Sequence, residues 1–250
     1  MPEAGLSVVD RSLRSPLLSP DLGSGNRNGA GRLVGAPPTV AVVEGKRQLE
    51  VARVTTVLAG WRDPVAALTP IERERAATFA TPALQDEFTA AHLVARTVVG
   101  ELLGVRARSV IIEQRCPECG GEHGKPHVRN HPEVHVSWSH SHGWVGAAAS
   151  HLAVGIDLEA PRDVERALEP GLLRRTATPA ETSIIEAAAD PRAAFLRMWV
   201  LKESLIKVGR IALADFARTD VSTDLVLGCQ VELHPHPTVT VGTATVLEDL

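Results

Sequence analysis

Apolar and polar residues recur with a helical period in some parts of the chain and with a strand period in others. Between Leu84 and Leu103 the apolar residues stand at helical spacing and Gly104 follows them, which predicts a long helix that ends there. Thr69, with Glu72 three positions later, predicts the start of a shorter helix with a capping box. Three further helices are predicted at about 163–175, 179–188 and 190–208.

A period of two residues predicts the strands. Residues 134–139 alternate as a strand, and residues 144–149 are its expected hairpin partner. Further strands are predicted at 39–43, at 110–112, at 154–159 and within 226–247. Helices followed by strands occur twice along the chain, so the predicted fold class is α+β, with two halves that meet near residue 151.

The first 38 residues differ in composition from the rest of the chain. Gly, Ser and Asn are frequent between Gly23 and Gly31, and apolar residues are too few to form a core, which predicts a flexible tail at 1–38. An N-terminal α+β half is then predicted at 39–151. The C-terminal α+β half, predicted at 152–250, carries the metal-binding and catalytic motifs.

Composition narrows the class of function. The chain has 250 residues, of which 44% are hydrophobic and 22% charged, as in an ordinary globular protein. A net charge of −4 and an aromatic content of 3% argue against nucleic-acid binding. Three cysteines are too few for a disulfide framework and fit a reducing cytoplasm. Neither a secretory signal nor an apolar run of about 18 residues is recognised, so no association with a membrane is expected.

Two carboxylates, Asp157 and Glu159, lie two positions apart in the strand predicted at 154–159. Residues at i and i+2 share one face of a strand, so Ile156 and Leu158 are expected to face the core while both carboxylates point out together. Adjacent like charges favour a cation between them, and Mg²⁺ takes carboxylate oxygens together with water and substrate phosphates. The competing interpretation is a solvated strand face with incidental acids.

The helix predicted at 190–208 carries a third carboxylate and two cations. Glu203 and Lys207 stand four residues apart and therefore share a helix face, with Lys202 on its flank. A Glu–Lys pair at this spacing is also common on helix surfaces, and that interpretation stays open for the helix alone. Next to the acidic strand, Glu203 is a candidate metal ligand or general base, and Lys207 is a candidate partner for phosphate.

Polar residues upstream add candidate phosphate contacts. Ser139 and His140 end a predicted strand, where a hydroxyl and an imidazole make hydrogen bonds to phosphate oxygens, although a polar hairpin turn has the same composition. Lys125 is a cation on a Gly-Lys-Pro loop. A separate loop contains half of a zinc-ligand pattern, formed by Cys116, Cys119, His123 and His127.

In this order the motifs resemble the 4′-phosphopantetheinyl transferases of the surfactin-synthetase-activating type. The family pattern is a Ser-His-Ser strand end, then Gly-Ile-Asp-x-Glu, then Trp-x-x-Lys-Glu-x-x-x-Lys, which this chain matches at 139–141, 155–159 and 199–207. Gly124-Lys125-Pro126 and Arg96 also match family segments, so the resemblance covers about residues 85–210. The motifs are highly specific as a set, whereas any one of them alone would be weak.

The resemblance implies both a fold and a reaction. The fold is a monomeric, pseudo-twofold pair of similar α+β halves with the active site in the cleft between them. The reaction transfers the 4′-phosphopantetheine arm of coenzyme A to a serine of an apo acyl or peptidyl carrier protein and releases 3′,5′-ADP, as in polyketide or nonribosomal peptide biosynthesis in the cytoplasm. Mg²⁺ is the implied cofactor, and Mn²⁺ suits the same oxygen ligands.

The resemblance also implies a role for each matched residue. Metal ligands would be Asp157, Glu159 and Glu203. Catalytic residues would be Glu203, which takes the proton of the attacking serine, together with Lys207 and His140. Contacts to coenzyme A would come from Arg96, Lys125, Ser139, His140, Asp157, Lys202 and Lys207. Arg73 and Arg75 are the nearest counterparts of a basic cluster that grips the 3′-phosphate in the family.

Two other functions stay open at this point. A Mg²⁺-dependent hydrolase of coenzyme A or of nucleotide diphosphates would use the same three carboxylates with water as the nucleophile. It would release phosphopantetheine without labelling a carrier. A zinc-binding interaction module centred on Cys116 and Cys119 would instead bind zinc stoichiometrically and would not bind coenzyme A.

Overall fold

The computed structural model describes residues 39–43, 47–116, 120–121, 124–160 and 168–247. The helices are α1 (Val54–Ala59), α2 (Pro70–Ala77), α3 (Pro82–Leu103), α4 (Pro170–Thr176), α5 (Pro179–Ala187) and α6 (Pro191–Val208). The strands are β1 (Thr39–Val43), β2 (Arg47–Arg53), β3 (Ile112–Gln114), β4 (Pro126–Val128), β5 (His135–Ser141), β6 (Trp144–Ser150), β7 (Val154–Glu159), β8 (Leu225–Val226), β9 (Cys229–His234) and β10 (Thr240–Val246). Because the structure combines helices with antiparallel strands, its fold class is α+β.

The strands form two four-stranded antiparallel sheets and one hairpin. The first sheet has the order β1-β2-β6-β5, the second has the order β7-β10-β9-β8, and β3 pairs with β4. Each large sheet therefore takes its strands from only one side of residue 151. The predicted division of the chain into halves at that position stays a prediction.

Three apolar cores separate four layers. One core lies between α3 and the first sheet and includes Leu93, Val98 and Val145. A second lies between the two sheets, where Leu49 of β2 and Ile156 of β7 are buried together. The third lies between α6 and the far side of the second sheet. The two sheets thus pack face to face, with one long helix on each outer side.

The ends of the two long helices follow local sequence signals. The Thr81 hydroxyl accepts a hydrogen bond from the Leu84 backbone N–H at the start of α3, and Gly104 ends that helix in the left-handed region with φ +68°. At the start of α6 the Asp190 side chain caps the Ala193 N–H in the same way. Of these signals, the sequence prediction used only the Gly104 stop; the caps at Thr81 and Asp190 are seen in the structure.

Most of the predicted elements are confirmed, including the capping box of α2 and the β5–β6 hairpin. The strand predicted at 110–112 is wrong in its bounds, because the Val110 N–H closes a 3₁₀ turn on Ala107 and β3 runs from Ile112 to Gln114. The helix predicted at 163–175 is observed as α4, which begins at Pro170, and residues 168 and 169 before it are not helical. Residues 163–167 of the prediction lie outside the described residues. Helix α1 was not predicted from the sequence.

Among the helices of the described residues, none combines the length and the apolar content needed to cross a membrane.

Candidate active site

Strand β7 is buried along its whole length. Ile156 and Leu158 face the core between the sheets, as predicted. The other face, which carries Asp157 and Glu159, was expected to point outward, but these residues are only 6% and 7% exposed. Helix α6 covers that face so closely that a Cβ at Gly155 would lie 2.1 Å from the Ser204 carbonyl oxygen. The two carboxylates are therefore held in an enclosed space beside α6.

Lys207 of α6 reaches across this space. Its ammonium group donates to Oδ1 of Asp157 at 2.8 Å and to the Ile156 carbonyl at 2.8 Å. A third hydrogen bond, of 3.3 Å, runs to the Trp138 carbonyl of β5. Lys207 thus neutralises one of the carboxylates and also joins the two sheets at the site.

Serine hydroxyls on β5 line the edge of β7 that faces away from β10. Ser139 Oγ donates to Oδ1 of Asp157 at 2.7 Å, and Ser141 Oγ donates to Oε2 of Glu159 at 3.0 Å. The Ser137 hydroxyl accepts from the Ile156 backbone N–H at 3.2 Å. A buried backbone N–H needs a partner, and here side chains from the other sheet supply it in place of a neighbouring strand.

Glu203 lies close enough to Asp157 for the two carboxylates to repel each other. Burial raises the pKa of Glu203 to about 7, the Asp157 charge adds to the rise, and Lys207 offsets part of it. Carboxylate oxygens held close together in an enclosed site are a donor set that fits Mg²⁺.

The predicted three-ligand metal site is, however, not preformed. Within the described ranges, no three Asp, Glu, His or Cys side chains stand in a metal-ligand arrangement. One reason is that Asp157 is engaged by Lys207 and Ser139.

His140 lies on the opposite face of β5 from Ser139. Its Nδ1 is 3.2 Å from Oε2 of Glu87, and Oε1 of the same carboxylate accepts the Gly143 N–H at 2.6 Å. Burial would raise the pKa of Glu87, but these two hydrogen bonds and the nearby imidazoles hold it below its ordinary value. Because a carboxylate only accepts, Nδ1 of His140 carries the hydrogen and Nε2 is left for other contacts.

On this same face of β5, Trp138 lines a cavity of about 500 Å³. The start of α2, the middle of α3 and strand β3 form its other walls. Its charged lining side chains are Glu72, Arg75, Glu113, Arg115 and Arg129, and the imidazole of His92 also lines it. Since Trp138 lines the cavity with its ring and accepts from Lys207 with its carbonyl, the cavity and the carboxylates lie on two sides of one strand.

The guanidinium of Arg96 is not available to bind a ligand, because its donors are already occupied. Its guanidinium is 2% exposed and donates to both carboxylate oxygens of Glu72, at 2.6 and 2.9 Å. It also donates to the His92 carbonyl at 2.9 Å. The predicted contact of Arg96 with coenzyme A is therefore not supported, because its donors hold α2 against α3.

Lys202 is likewise committed to the core of the C-terminal part. Its ammonium group is fully buried and donates to Oε2 of Glu181 at 2.6 Å. It also donates to the backbone carbonyls of Thr176 and Phe216, at 2.9 and 2.7 Å. Its predicted contact with coenzyme A is therefore not supported. A signal for this was present in the sequence, because Lys202 falls at helical spacing with the buried Met198 and with Leu205.

The remaining predicted cations lie on elements other than β7 and α6. Lys125 is exposed on the β3–β4 hairpin. Arg73 donates to the Leu68 carbonyl, whereas Arg75 lines the cavity. Of the zinc pattern, Cys116 is buried, and Cys119 and His123 lie outside the described residues.

Comparison with known proteins gives a consistent set of relatives. Residues 153–245 match the model of the 4′-phosphopantetheinyl transferase superfamily. The chain is 32% identical over 120 residues to the 4′-phosphopantetheinyl transferase psf-1 of Bacillus pumilus, which covers 45% of this chain and 49% of that protein. It is 32% identical over 91 residues to a 4′-phosphopantetheinyl transferase of Bacillus subtilis, covering 34% of this chain and 38% of that protein.

A third relative extends the matched region. The chain is 27% identical over 146 residues to the 4′-phosphopantetheinyl transferase Sfp of Bacillus subtilis (strain 168), covering 54% of this chain and 62% of that protein. The matches thus span between about two fifths and three fifths of the relatives' own lengths. They confirm the resemblance that the three motifs indicated.

Proposed function

We propose that the chain, whose residues 153–245 match the model of the 4′-phosphopantetheinyl transferase superfamily, transfers phosphopantetheine from coenzyme A to a serine of an apo acyl or peptidyl carrier protein. The observation that carries the proposal is the convergence of Asp157 and Lys207, with Glu203 beside them, between β7 and α6. All three residues lie inside the matched domain.

In the proposed step, the serine oxygen of the carrier attacks the β-phosphorus of coenzyme A. A new bond forms between that oxygen and the phosphorus, and the bond from the phosphorus to the bridging oxygen breaks, so that 3′,5′-ADP leaves. Glu203 takes the proton of the serine. Lys207 exchanges its longest hydrogen bond, the one to the Trp138 carbonyl, for a pyrophosphate oxygen, and its charge offsets the negative charge that develops on the leaving oxygen. Positioning and charge neutralisation account for most of the catalysis of phosphoryl transfer.

Mg²⁺ is proposed to bind at Asp157, Glu159 and Glu203, with Mn²⁺ as a substitute. When bound, the ion supplies positive charge to the pyrophosphate oxygens. Asp157 and Glu159 offer oxygens from one strand face, and Glu203 offers its own from the facing helix. The close approach of α6 at Gly155 keeps these two elements together.

The nucleotide end of coenzyme A is proposed to lie in the cavity on the other side of β5. Arg75 in its wall offers positive charge for a phosphate, and Trp138 offers a ring face for a base. Lys125 precedes Pro126, which pairs with the cavity-lining Gln114, so this cation is near the cavity. His140, with Nδ1 held by Glu87, would meet a phosphate through Nε2.

The two sheets and their long helices are proposed to be related by a pseudo-twofold axis, with the cofactor bound in a cleft between the halves. Each half has a four-stranded antiparallel sheet backed by one long helix, which supports this relationship. A single chain would then supply the complete site and act as a monomer in the cytoplasm.

The test is incubation of the protein with coenzyme A, Mg²⁺ and an apo carrier protein, followed by intact-mass measurement of the carrier. A gain of one phosphopantetheine, with equal release of 3′,5′-ADP, is the expected result. Release of phosphopantetheine into solution with an unmodified carrier would indicate a hydrolase instead. Stoichiometric zinc with no turnover of coenzyme A would indicate the zinc-binding module.

A further inference from the structure

Ser141 makes two hydrogen bonds with the end of β7. Its hydroxyl donates to Oε2 of Glu159 at 3.0 Å and accepts from the Ala160 backbone N–H at 3.3 Å. A hydroxyl has one hydrogen, and because the Ala160 contact uses the oxygen as an acceptor, that hydrogen is directed to Glu159. The side chain is 8% exposed, so water does not compete freely for these bonds.

The support behind Ser141 is rigid. It is the last residue of β5, and it pairs with Trp144 across a tight turn in which His142 and Gly143 have positive φ. The turn is fixed from outside, because the Gly143 N–H donates to Glu87 of α3. The hydroxyl is therefore placed by the first sheet, whereas the carboxylate that it contacts belongs to the second.

Ser141 and Lys207 differ in the charge that they bring to the carboxylates they contact. Lys207 brings a positive charge to Asp157, whereas Ser141 contacts Glu159 through a neutral hydroxyl that fixes the direction of one carboxylate oxygen. A carboxylate that is already fixed in direction loses less side-chain freedom when it binds a cation.

We propose that Ser141 is a positioning residue that orients the Glu159 carboxylate for the divalent metal ion. This inference rests on the proposed function, because that function assigns Glu159 to the metal. It adds a residue outside the metal ligands themselves. Ser141 acts through Glu159 and does not touch the substrate.

Ser137 provides a matched control on the same face of the same strand. Its buried hydroxyl accepts from the Ile156 N–H and so caps the same edge of β7, but its bonding partner is a backbone group and not a carboxylate. Ser141→Ala and Ser137→Ala each remove one buried hydroxyl from the junction between the sheets. Both variants are expected to lower the melting temperature by about 2–4 °C.

Metal affinity separates the two roles. Mn²⁺ alone is titrated into the full-length protein without coenzyme A or carrier, and free Mn²⁺ is measured by electron paramagnetic resonance. Ser141→Ala is expected to weaken Mn²⁺ binding by about 10- to 100-fold, the usual effect of losing a group that orients a metal ligand. Ser137→Ala is expected to bind Mn²⁺ as the wild type does.

Three results would overturn the inference. One is unchanged Mn²⁺ affinity in Ser141→Ala, another is an equal loss in Ser137→Ala, and the third is a wild type that binds no Mn²⁺. The carrier mass assay on the wild type distinguishes these results from failure of the proposed function. A carrier that is labelled while Ser141→Ala keeps its Mn²⁺ affinity would leave the transfer reaction intact and remove only the role of Ser141.

Discussion

The Nζ atom of Lys207 lies 2.8 Å from Oδ1 of Asp157, although the two residues are fifty positions apart in the sequence. The same oxygen also accepts from Ser139 at 2.7 Å, and the same ammonium group donates to the Ile156 carbonyl. One contact therefore fixes the direction of a buried carboxylate, compensates its charge and attaches α6 to the edge of β7. This is the point at which the proposed chemistry and the packing of the two sheets depend on each other.

Replacing Lys207 with Met should reduce the transfer rate. A single charged donor to a developing oxyanion contributes about 10²–10³-fold in kcat, so a loss of that order is expected. The rate is measured by the appearance of holo carrier in intact-mass spectra. Lys207→Arg keeps the charge and is the control, with the expectation that it loses less than Lys207→Met. A Met variant that turns over normally would remove Lys207 from the mechanism.

The two carboxylates nearest to Lys207 are tested by removing charge and keeping shape. Asp157→Asn and Glu203→Gln should each lose at least about several kcal/mol of transition-state stabilisation. The transfer rate should then be so low that the holo carrier is nearly undetectable. Circular dichroism spectra should match the wild type, because neither change creates a cavity. Normal transfer by either variant would contradict the assignment of these carboxylates to the metal.

Lys202 is expected to matter for stability and not for binding of coenzyme A. Lys202→Met leaves the buried Glu181 carboxylate without its cation, and breaking such a pair costs about 3–5 kcal/mol of the free energy of unfolding. Arg218→Met breaks the exposed pair with Asp215 and should cost no more than about 1 kcal/mol. Urea denaturation measures both values.

Binding provides the second half of the Lys202 test. At a temperature where Lys202→Met is still folded, its KM for coenzyme A should equal that of the wild type, because the ammonium group is fully buried among Glu181 and two carbonyls. A raised KM in a fully folded variant would return Lys202 to the coenzyme A contacts.

Local signals explain how much of this structure could be predicted from the sequence. The capping box of α2, the Gly104 stop of α3 and the bounds of β7 depend on neighbours within a few residues, so all three were placed correctly. Arg96 and Lys202 were assigned to the cofactor because they match positions in the segments that this chain shares with the family. Their actual partners, Glu72 and Glu181, are more than twenty residues away, and no local pattern identifies them.

The role of the β5 serines was not predicted for the same reason, because their partners are distant in the sequence. Ser139 and Ser141 meet Asp157 and Glu159 only because β5 of one sheet lies along the edge of β7 of the other. The sequence shows hydroxyls at a period of two, which fixes the face that they share but not what that face contacts. Tertiary packing supplies the missing partner.

Gly155 is expected to tolerate no side chain. A Cβ there would lie 2.1 Å from the Ser204 carbonyl oxygen and 3.1 Å from the Val208 nitrogen, so α6 would have to move away from β7. Gly155→Ala should therefore cost about 1–3 kcal/mol or more of the free energy of unfolding and should also reduce transfer, because Glu203 moves with α6.

Gly60 is the matched control for that substitution. It has an ordinary φ of −73°, and its nearest contact for a new Cβ is 3.3 Å. Gly60→Ala should leave both unfolding and transfer close to wild type. Equal stability of the two alanine variants would show that α6 does not approach β7 as closely as described.

His92 should make the folded protein less stable as the pH falls below neutral. The imidazole is buried between the rings of Phe88 and Trp138, and burial lowers its pKa to about 4, although Glu72 opposes the shift. In the unfolded chain a histidine titrates near 6.5, so between these two values the unfolded state binds the extra proton. The stability is therefore complete above about pH 6.5 and is lost progressively as the pH falls toward 4.

Comparing wild type with His92→Phe isolates this contribution. The Phe ring keeps the aromatic packing but cannot titrate, so the fall in the free energy of unfolding from about pH 7.5 to pH 5 should be smaller in the variant by about 2 kcal/mol.

The pKa of His234 is also lowered to about 4 by burial, but its effect is common to both proteins and cancels in the difference. Staying above pH 5 limits the contribution of Glu72, whose pKa lies below its ordinary value because His92 and Arg96 outweigh its burial. Urea denaturation at the two pH values gives the four free energies, and equal pH dependence in both proteins would mean that His92 is not buried as a neutral imidazole.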